Sequence, residues 1–380
     1  MTKMDASKLF TPLKVGTVGL AHRIALAPMT RFRVDDGHIP QEQVAEYYSQ
    51  RGAVPGTLLI TEATIVSTRP GVYTHVPGIW TQEQIAAWKK VTDAVHKKGS
   101  HIYMQLWALG RVADPEATKA ENGPEAKVIS SSATPVAEGA TVPKEMSEED
   151  IQGVIGDFAQ AAKNAIAAGF DGVEIHGANG YLVDQFIQKS VNKRTDKWGG
   201  SVENRARFAL EVIQAVVGAV GAERTAIRFS PWSTFQGMGV DPDEEIIEQF
   251  GYLAKKTAEL KLAFVHLVEA RIAGNAETDD NAGRNLKFFF DAYGNAGPLM
   301  VAGGYVGESA QEAVDEQYKD HDVLVAIGRP WTANPDLPFK VKKGIPLKPY
   351  EREHFYVVRS PKGYADYEFS EEFKAAIAAA

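Results

Sequence analysis

The stretch Gly172 to Asn204, GVEIHGANGYLVDQFIQKSVNKRTDKWGGSVEN, brings three reactive side chains close together along the chain. An apolar run, Gly172-Val173-Glu174-Ile175, ends on His176, with Asn179 and Tyr181 just beyond it. Two of these groups can hydrogen-bond a carbonyl oxygen, and the phenol can give up a proton. Alone, the cluster reads equally well as a satisfied core histidine followed by an ordinary turn, in which Asn179-Gly180 supplies the awkward dihedrals. The elements that would position it have to decide.

Those elements repeat. Apolar runs of strand length occur at Ile24 to Met29, Thr57 to Thr64, His101 to Trp107 and Gly172 to His176. Four more follow at Thr225 to Ser230, Phe264 to Val268, Leu299 to Gly303 and Val323 to Ile327. The stretches between them have helical spacing, as in Ile85, Trp88, Val91 and Val95, or Ile151, Ile155, Phe158, Ala162 and Ile166. Thr81 to Gln84 and Ser147 to Asp150 read as capping boxes, and Gly99 and Gly169 as helix stops. Near-continuously apolar strands separated by helices predict a parallel sheet covered by helices. Eight such units predict a single α/β domain over residues 1–380, a closed (β/α)8 TIM barrel with an N-terminal hairpin. An open dinucleotide-binding sheet would need a Gly-x-Gly-x-x-Gly turn after an early strand, and none is present. The stretch Ala108 to Met146, rich in Pro, Gly, Ser and Ala, is expected to be a long irregular loop and a lid on the rim.

Composition removes several classes of function. The chain has 380 residues, 44% hydrophobic and 24% charged, as expected of a globular protein with a full core. A formal charge of −8 argues against a nucleic-acid surface. The absence of cysteine rules out disulfides, thiolate nucleophiles and cysteine-bound clusters. No apolar signal core or bilayer-spanning run is seen, so the expected location is cytoplasmic, with no membrane partner.

In a barrel of this kind chemistry is carried where the strands end. The successive ends offer Pro28-Met29-Thr30, then Glu62-Ala63, Gln105 with Trp107, His176, Arg228, Gly303-Gly304 and Gly328-Arg329. Glycine loops after the last two strands form a usual phosphate site of such barrels, and Arg329 would add a charge-assisted clamp. Gln105, Arg228 and Thr30 suit the edge of a heteroaromatic ring bearing carbonyls and ring nitrogens. His101 and His266 lie inside strand runs and are assigned to structure, as are Trp88, Phe158 and Phe208 at helical core spacing. The charged run Lys189 to Lys197 reads as a solvated loop, with Arg194 and Trp198 available to fix its shape. No strand end carries the lysine of a Schiff-base aldolase or the clustered ligands of a metal-dependent hydrolase.

Taken together, these motifs resemble the Old Yellow Enzyme family of flavin-dependent ene-reductases. The resemblance is carried by ALAPMTRFR (25–33), PGTLLITEAT (55–64), GVYTHVPGIW (71–80), QLWALGR (105–111) and the block from 172 to 212. It continues through IRFSPW (227–232), VAGGY (301–305), AIGRPWTANPDLPFKV (326–341) and HFYVVRSPKGYADY (354–367). The sequence looks most like the branch with Thr after Ala-Pro-Met, including fungal members acting on enals of secondary metabolism, such as chanoclavine aldehyde reductases. The resemblance implies FMN as bound cofactor, with its phosphate on Gly303, Gly304, Gly328 and Arg329. Its ring would meet Pro28, Met29, Thr30, Ala63, Gln105 and Arg228. His176 and Asn179 would hold the carbonyl oxygen of an α,β-unsaturated substrate, and Tyr181 would be the proton donor. Tyr73, Trp107 and Tyr356 would line the substrate space. NADPH is the implied reductant, with NADH possible, no metal is implied, and the assembly would be a monomer or homodimer. An isomerising or oxidase-like use of the same site, and a non-catalytic flavin-binding barrel, stay open.

Overall fold

The computed structural model describes residues 6–274, 276–278 and 283–379. Eight parallel strands form its centre: β1 (Ile24–Leu26), β2 (Leu58–Ile60), β3 (His101–Trp107), β4 (Gly172–Gly177), β5 (Thr225–Phe229), β6 (Phe264–Val268), β7 (Leu299–Ala302) and β8 (Val323–Ile327). Each pairs with the next, and β8 returns to β1 with Val325 opposite Ile24, so the sheet closes into a barrel. The (β/α)8 expectation therefore holds. Two strands are shorter than their apolar runs. β1 ends before Pro28, which has no N–H to give a ladder. The run from Thr57 to Thr64 breaks after Ile60, because the Glu62 N–H is taken by the Tyr48 hydroxyl at 2.7 Å. Pairing resumes at Thr64–Ile65 against the far end of β3.

The flanking helices start where their caps dictate. Helices α1 (Glu42–Arg51), α2 (Gln82–His96) and α3 (Glu148–Ala167) lie between the early strands. Thr81 with Gln84 and Ser147 with Asp150 form the two capping boxes read from the sequence. Trp88 on α2 and Phe158 on α3 are fully buried, each contributing roughly 1.5–3 kcal/mol of apolar burial. Among the described residues, no helix is long and apolar enough to cross a membrane.

The N-terminal hairpin, Leu13–Val15 against Val18–Leu20, closes the bottom of the barrel. Its Leu13, Val15, Val18 and Leu20 pack with Leu58, Tyr103, Phe264, Met300 and Leu324 of the interior.

The stretch 108–146 departs from expectation. It holds a helix, Pro115–Asn122, capped by Asp114, and a short strand Ile129–Ser130 paired with Lys144–Glu145. Pro115 sits in the first turn, where a missing N–H is harmless, so this proline starts a helix within a stretch expected to be irregular. None of the stretch lines the main cavity. The charged loop after β4 is indeed fixed by its two anchors. Arg194 donates to the Ser131 and Met146 carbonyls at 3.0 and 2.8 Å, and the Trp198 indole to Glu148 at 2.7 Å.

A second set of arginines holds the C-terminal segment over the barrel mouth. Arg31 donates to the carbonyls of Phe355 and Gly363 at 3.1 and 2.7 Å, and Arg33 to that of His354 at 2.8 Å. Arg51 reaches the carbonyls of Thr332 and Tyr364, and the Tyr47 and Tyr364 rings stack at 4.2 Å. All three guanidiniums are buried, so their charge is spent on backbone oxygens that would otherwise be unpaired. Arg31→Met leaves the Gly363 carbonyl without its donor, while Arg33 still reaches that of Phe355 at 3.3 Å, an expected loss of about 1–3 kcal/mol. The check is limited proteolysis: cleavage should move into residues 350–367 while the far-ultraviolet spectrum of the barrel is retained.

Candidate active site

At the C-terminal ends of the strands the barrel opens into a cavity of about 520 Å³. Every site residue singled out from the sequence lines it. Pro28, Met29 and Ala63 give apolar surface, and Thr30, Gln105 and Arg228 give polar groups. Gly303, Gly304, Gly328 and Arg329 form one corner. His176, Asn179 and Tyr181 stand together, with Tyr73, Trp107 and Tyr356 around them.

His176 is the last inward residue of β4 and lies in register with Arg228 on β5. Burial holds its pKa well below the ordinary 6.5, helped by the charges of Arg228 and His266, so the ring is neutral. Its Nδ1 is buried with no protein partner. Asn179 has φ +58°, a left-handed conformation that Asn tolerates better than most residues. Three contacts enforce it. The Asn179 N–H donates to Ser230 Oγ at 2.8 Å, and its carbonyl accepts from the Gln236 amide at 2.8 Å. Asp184 accepts the Gly180 N–H at 2.9 Å. Gly180 has φ +77°, and a Cβ there would meet the Gln236 side chain at 2.9 Å. The turn leaves Asn179 Oδ1 buried without a protein partner, in the lining of the same cavity as His176.

The Tyr181 ring lies edge-on to His176 at 4.8 Å and to Trp107 at 4.9 Å, and Tyr73 continues the wall at 5.7 Å from Trp107. Burial pushes the Tyr181 phenol well above its ordinary 10, opposed by a hydrogen bond with Gln236. Tyr73 is pushed up to about 12, chiefly by burial. Both phenols keep their protons at neutral pH.

The donor set suits FMN. Arg228 is a buried cation whose Nε has no partner, and the Gln105 amide reaches the cavity from β3. At the glycine corner, Gly304 has φ +71°, and a Cβ there would lie 3.5 Å from Glu277 and 3.7 Å from Arg329. A Cβ on Gly303 would collide with Glu269 at 2.5 Å. The carboxylate of Glu277 accepts from Arg329 at 2.7 Å, an anionic partner for this guanidinium at the edge of the corner. Behind it, Glu269 accepts from the hydroxyls of Tyr305 and Tyr318 at 2.6 and 2.7 Å, which fixes the loop that carries the glycines.

Some lining residues escaped the sequence reading. Phe32 meets Tyr356 edge-on at 5.9 Å, and Phe235, Ile272, Gly274 and Phe355 complete the mouth. Phe32 had a signal, since it closely follows Thr30 at a strand end. Phe235 and Ile272 lie in loops with no marking pattern.

Asp184 provides a pH test of the turn. Burial raises its carboxyl from 3.8 to about 7. A carboxyl raised in the folded state stabilises below its unfolded pKa, and that contribution is lost as pH rises through the folded one. The wild-type protein should therefore lose about 2–3 kcal/mol between pH 5 and pH 8 relative to Asp184→Asn. Urea unfolding of both proteins at the two pH values measures the difference; a pH-independent gap would count against it.

Comparison with known proteins agrees with this geometry. Residues 8–348 match the NADH:flavin oxidoreductase / NADH oxidase family. The chain is 61% identical, over 98% of its length and 100% of the relative's, to the chanoclavine-I aldehyde reductase fgaOx3 of Penicillium roqueforti. It is 48% identical to the NADP-dependent oxidoreductase lnbE of Aspergillus flavus, over 96% of this chain and 97% of that one. Among solved structures, the Old Yellow Enzyme of Pichia sp. superposes with a TM-score of 0.88 at 40% identity, covering 96% of this chain and 94% of that one. The chain belongs to the NADH:flavin oxidoreductase / NADH oxidase family, as an FMN-dependent oxidoreductase of the Old Yellow Enzyme type.

Proposed function

We propose that this protein reduces a carbon–carbon double bond conjugated to an aldehyde or ketone, with NADPH as the source of electrons. The observation that carries the reading is the convergence of His176, Asn179 and Tyr181 on one cavity. His176 keeps a ring nitrogen without a protein partner, Asn179 brings a side-chain amide whose NH2 can donate, and the phenol of the third is held protonated. The similarity to a chanoclavine-I aldehyde reductase and an NADP-dependent oxidoreductase supports an enal substrate and NADPH.

FMN, when bound, supplies a hydride acceptor and donor at the barrel mouth. Gly303, Gly304, Gly328 and Arg329 would hold its phosphate, with Gln105, Arg228 and Thr30 along the ring edge and Pro28, Met29 and Ala63 against its face. Thr30 would adjust its potential through a hydrogen bond. His176 and Asn179 would bind the substrate carbonyl oxygen. Negative charge grows there as the β-carbon is reduced, and donors already aimed at that oxygen lower the barrier. The neutral state of His176 matters: an imidazole keeps an N–H to donate without placing a second full charge beside Arg228. Tyr181 would deliver its proton to the α-carbon. Tyr73, Trp107 and Tyr356 would hold the hydrocarbon part and exclude water.

Two variants test the assignment. Tyr181→Phe should slow reduction of an enal by roughly a hundredfold or more. Oxidation of NADPH by the enzyme should change little in stopped-flow traces, and equal slowing of both half-reactions would sink the proton-donor role. His176→Ala should lower the rate with enals about a hundred- to a thousandfold. It should also weaken binding of phenols, read from the flavin spectrum.

A further inference from the structure

Two ionisable side chains sit inside the barrel with no place in the mechanism above. Glu174 and His266 are fully buried, and neither lines the cavity. Glu174 is the inward residue of β4 one layer below His176, in register with Gln105 on β3. One carboxylate oxygen accepts from the Gln105 side-chain amide at 2.8 Å. The other lies 2.8 Å from His266 Nδ1. A carboxylate can only accept, so the amide must turn its NH2 toward Glu174 and its carbonyl oxygen away. Among the described residues no donor meets that oxygen, and Gln105 itself lines the cavity. His266 is held as the Nδ1–H tautomer by the same logic. Arg228, in register with both His176 and His266, is the buried cation that Glu174 faces electrostatically.

We propose that Glu174 is a positioning residue for the cofactor site: it fixes Gln105 as an acceptor toward the flavin's imide N–H and offsets the charge of Arg228, thereby lowering the flavin's reduction potential. The proposal rests on the placement of FMN against Gln105 and Arg228. Reduction adds negative charge to the ring, and Arg228 favours that charge. A carboxylate one layer beneath opposes it in a medium of low dielectric, where a unit charge is felt over several ångströms. His266 keeps the carboxylate oriented and shares its charge through one hydrogen bond.

The test uses apoprotein reloaded with FMN, in the wild type and in Glu174→Gln and Glu174→Met. Glu174→Gln keeps an acceptor for the Gln105 amide but removes the charge. It should bind FMN within about threefold of wild type and shift the ratio of affinities for reduced over oxidised flavin upward about tenfold, some 30 mV for a two-electron couple. Glu174→Met frees the Gln105 amide. The preference of the wild type for FMN over its N3-methyl analogue, read by fluorescence titration, should fall at least tenfold in this variant. If Glu174→Met does not fold, the potential of Glu174→Gln decides alone. A potential unchanged in Glu174→Gln, with only a lower melting temperature, would falsify the proposal and leave Glu174 a structural residue. A wild-type protein that takes up no FMN would instead overturn the cofactor placement, and this proposal with it.

Discussion

A closed ring of eight parallel strands leaves its inward side chains without solvent, and without neighbours other than each other. In this protein the ring is divided by polarity. The residue after β1 and the ends of β7 and β8 place Ala27, Ala302 and Ala326 in the cavity lining, small apolar groups that leave room for something flat. β3, β4 and β5 send Gln105, His176 and Arg228. Buried polar groups normally find partners, because an unmet one costs about 1–3 kcal/mol. Here His176 Nδ1, Asn179 Oδ1 and Arg228 Nε have none within the protein. The barrel therefore carries a polar wall with bonding capacity that the protein itself does not use, and several long-range contacts keep that wall in place.

The supports are long-range and redundant. The left-handed Asn179 is fastened from β5 through Ser230, from the following loop through Gln236, and from its own short helix through Asp184. Gln236 is itself held by Arg111, which donates to its carbonyl at 2.7 Å and to that of Pro135 at 3.0 Å. The stretch 108–146 thus acts on the site through Arg111, at one remove. On the opposite side, Arg31 and Arg33 fasten the segment carrying Phe355 and Tyr356, although Tyr356 itself stays 46% exposed. One wall of the mouth is rigid and buried, and the other is a strap over a half-open entrance.

How much of this could be read from the sequence follows from the range of the interactions. Strands and caps announce themselves locally, so the eight runs, the boxes at Thr81 and Ser147 and the hairpin were all legible. The site residues were legible because a barrel gathers its strand ends, so residues such as Thr30, Gln105 and Arg329 share one rim whatever their separation in the chain. Contacts set by register were not. Nothing near Glu174 in sequence points to His266, and nothing near Arg31 points to Phe355. The helix at Pro115 was hidden because proline marks both the end and the beginning of helices, and only Asp114 before it tells them apart. Phe235 and Ile272 belong to loops whose course depends on what they pack against.

The N-terminal hairpin has a consequence beyond stability. With Leu13, Val15, Val18 and Leu20 packed onto Leu58, Tyr103, Phe264, Met300 and Leu324, the lower interior is filled core, and the cavity lies above it at the strand ends. The filled interior beneath the cavity offers a ligand no path, so whatever binds among the strand ends comes and goes from the rim side.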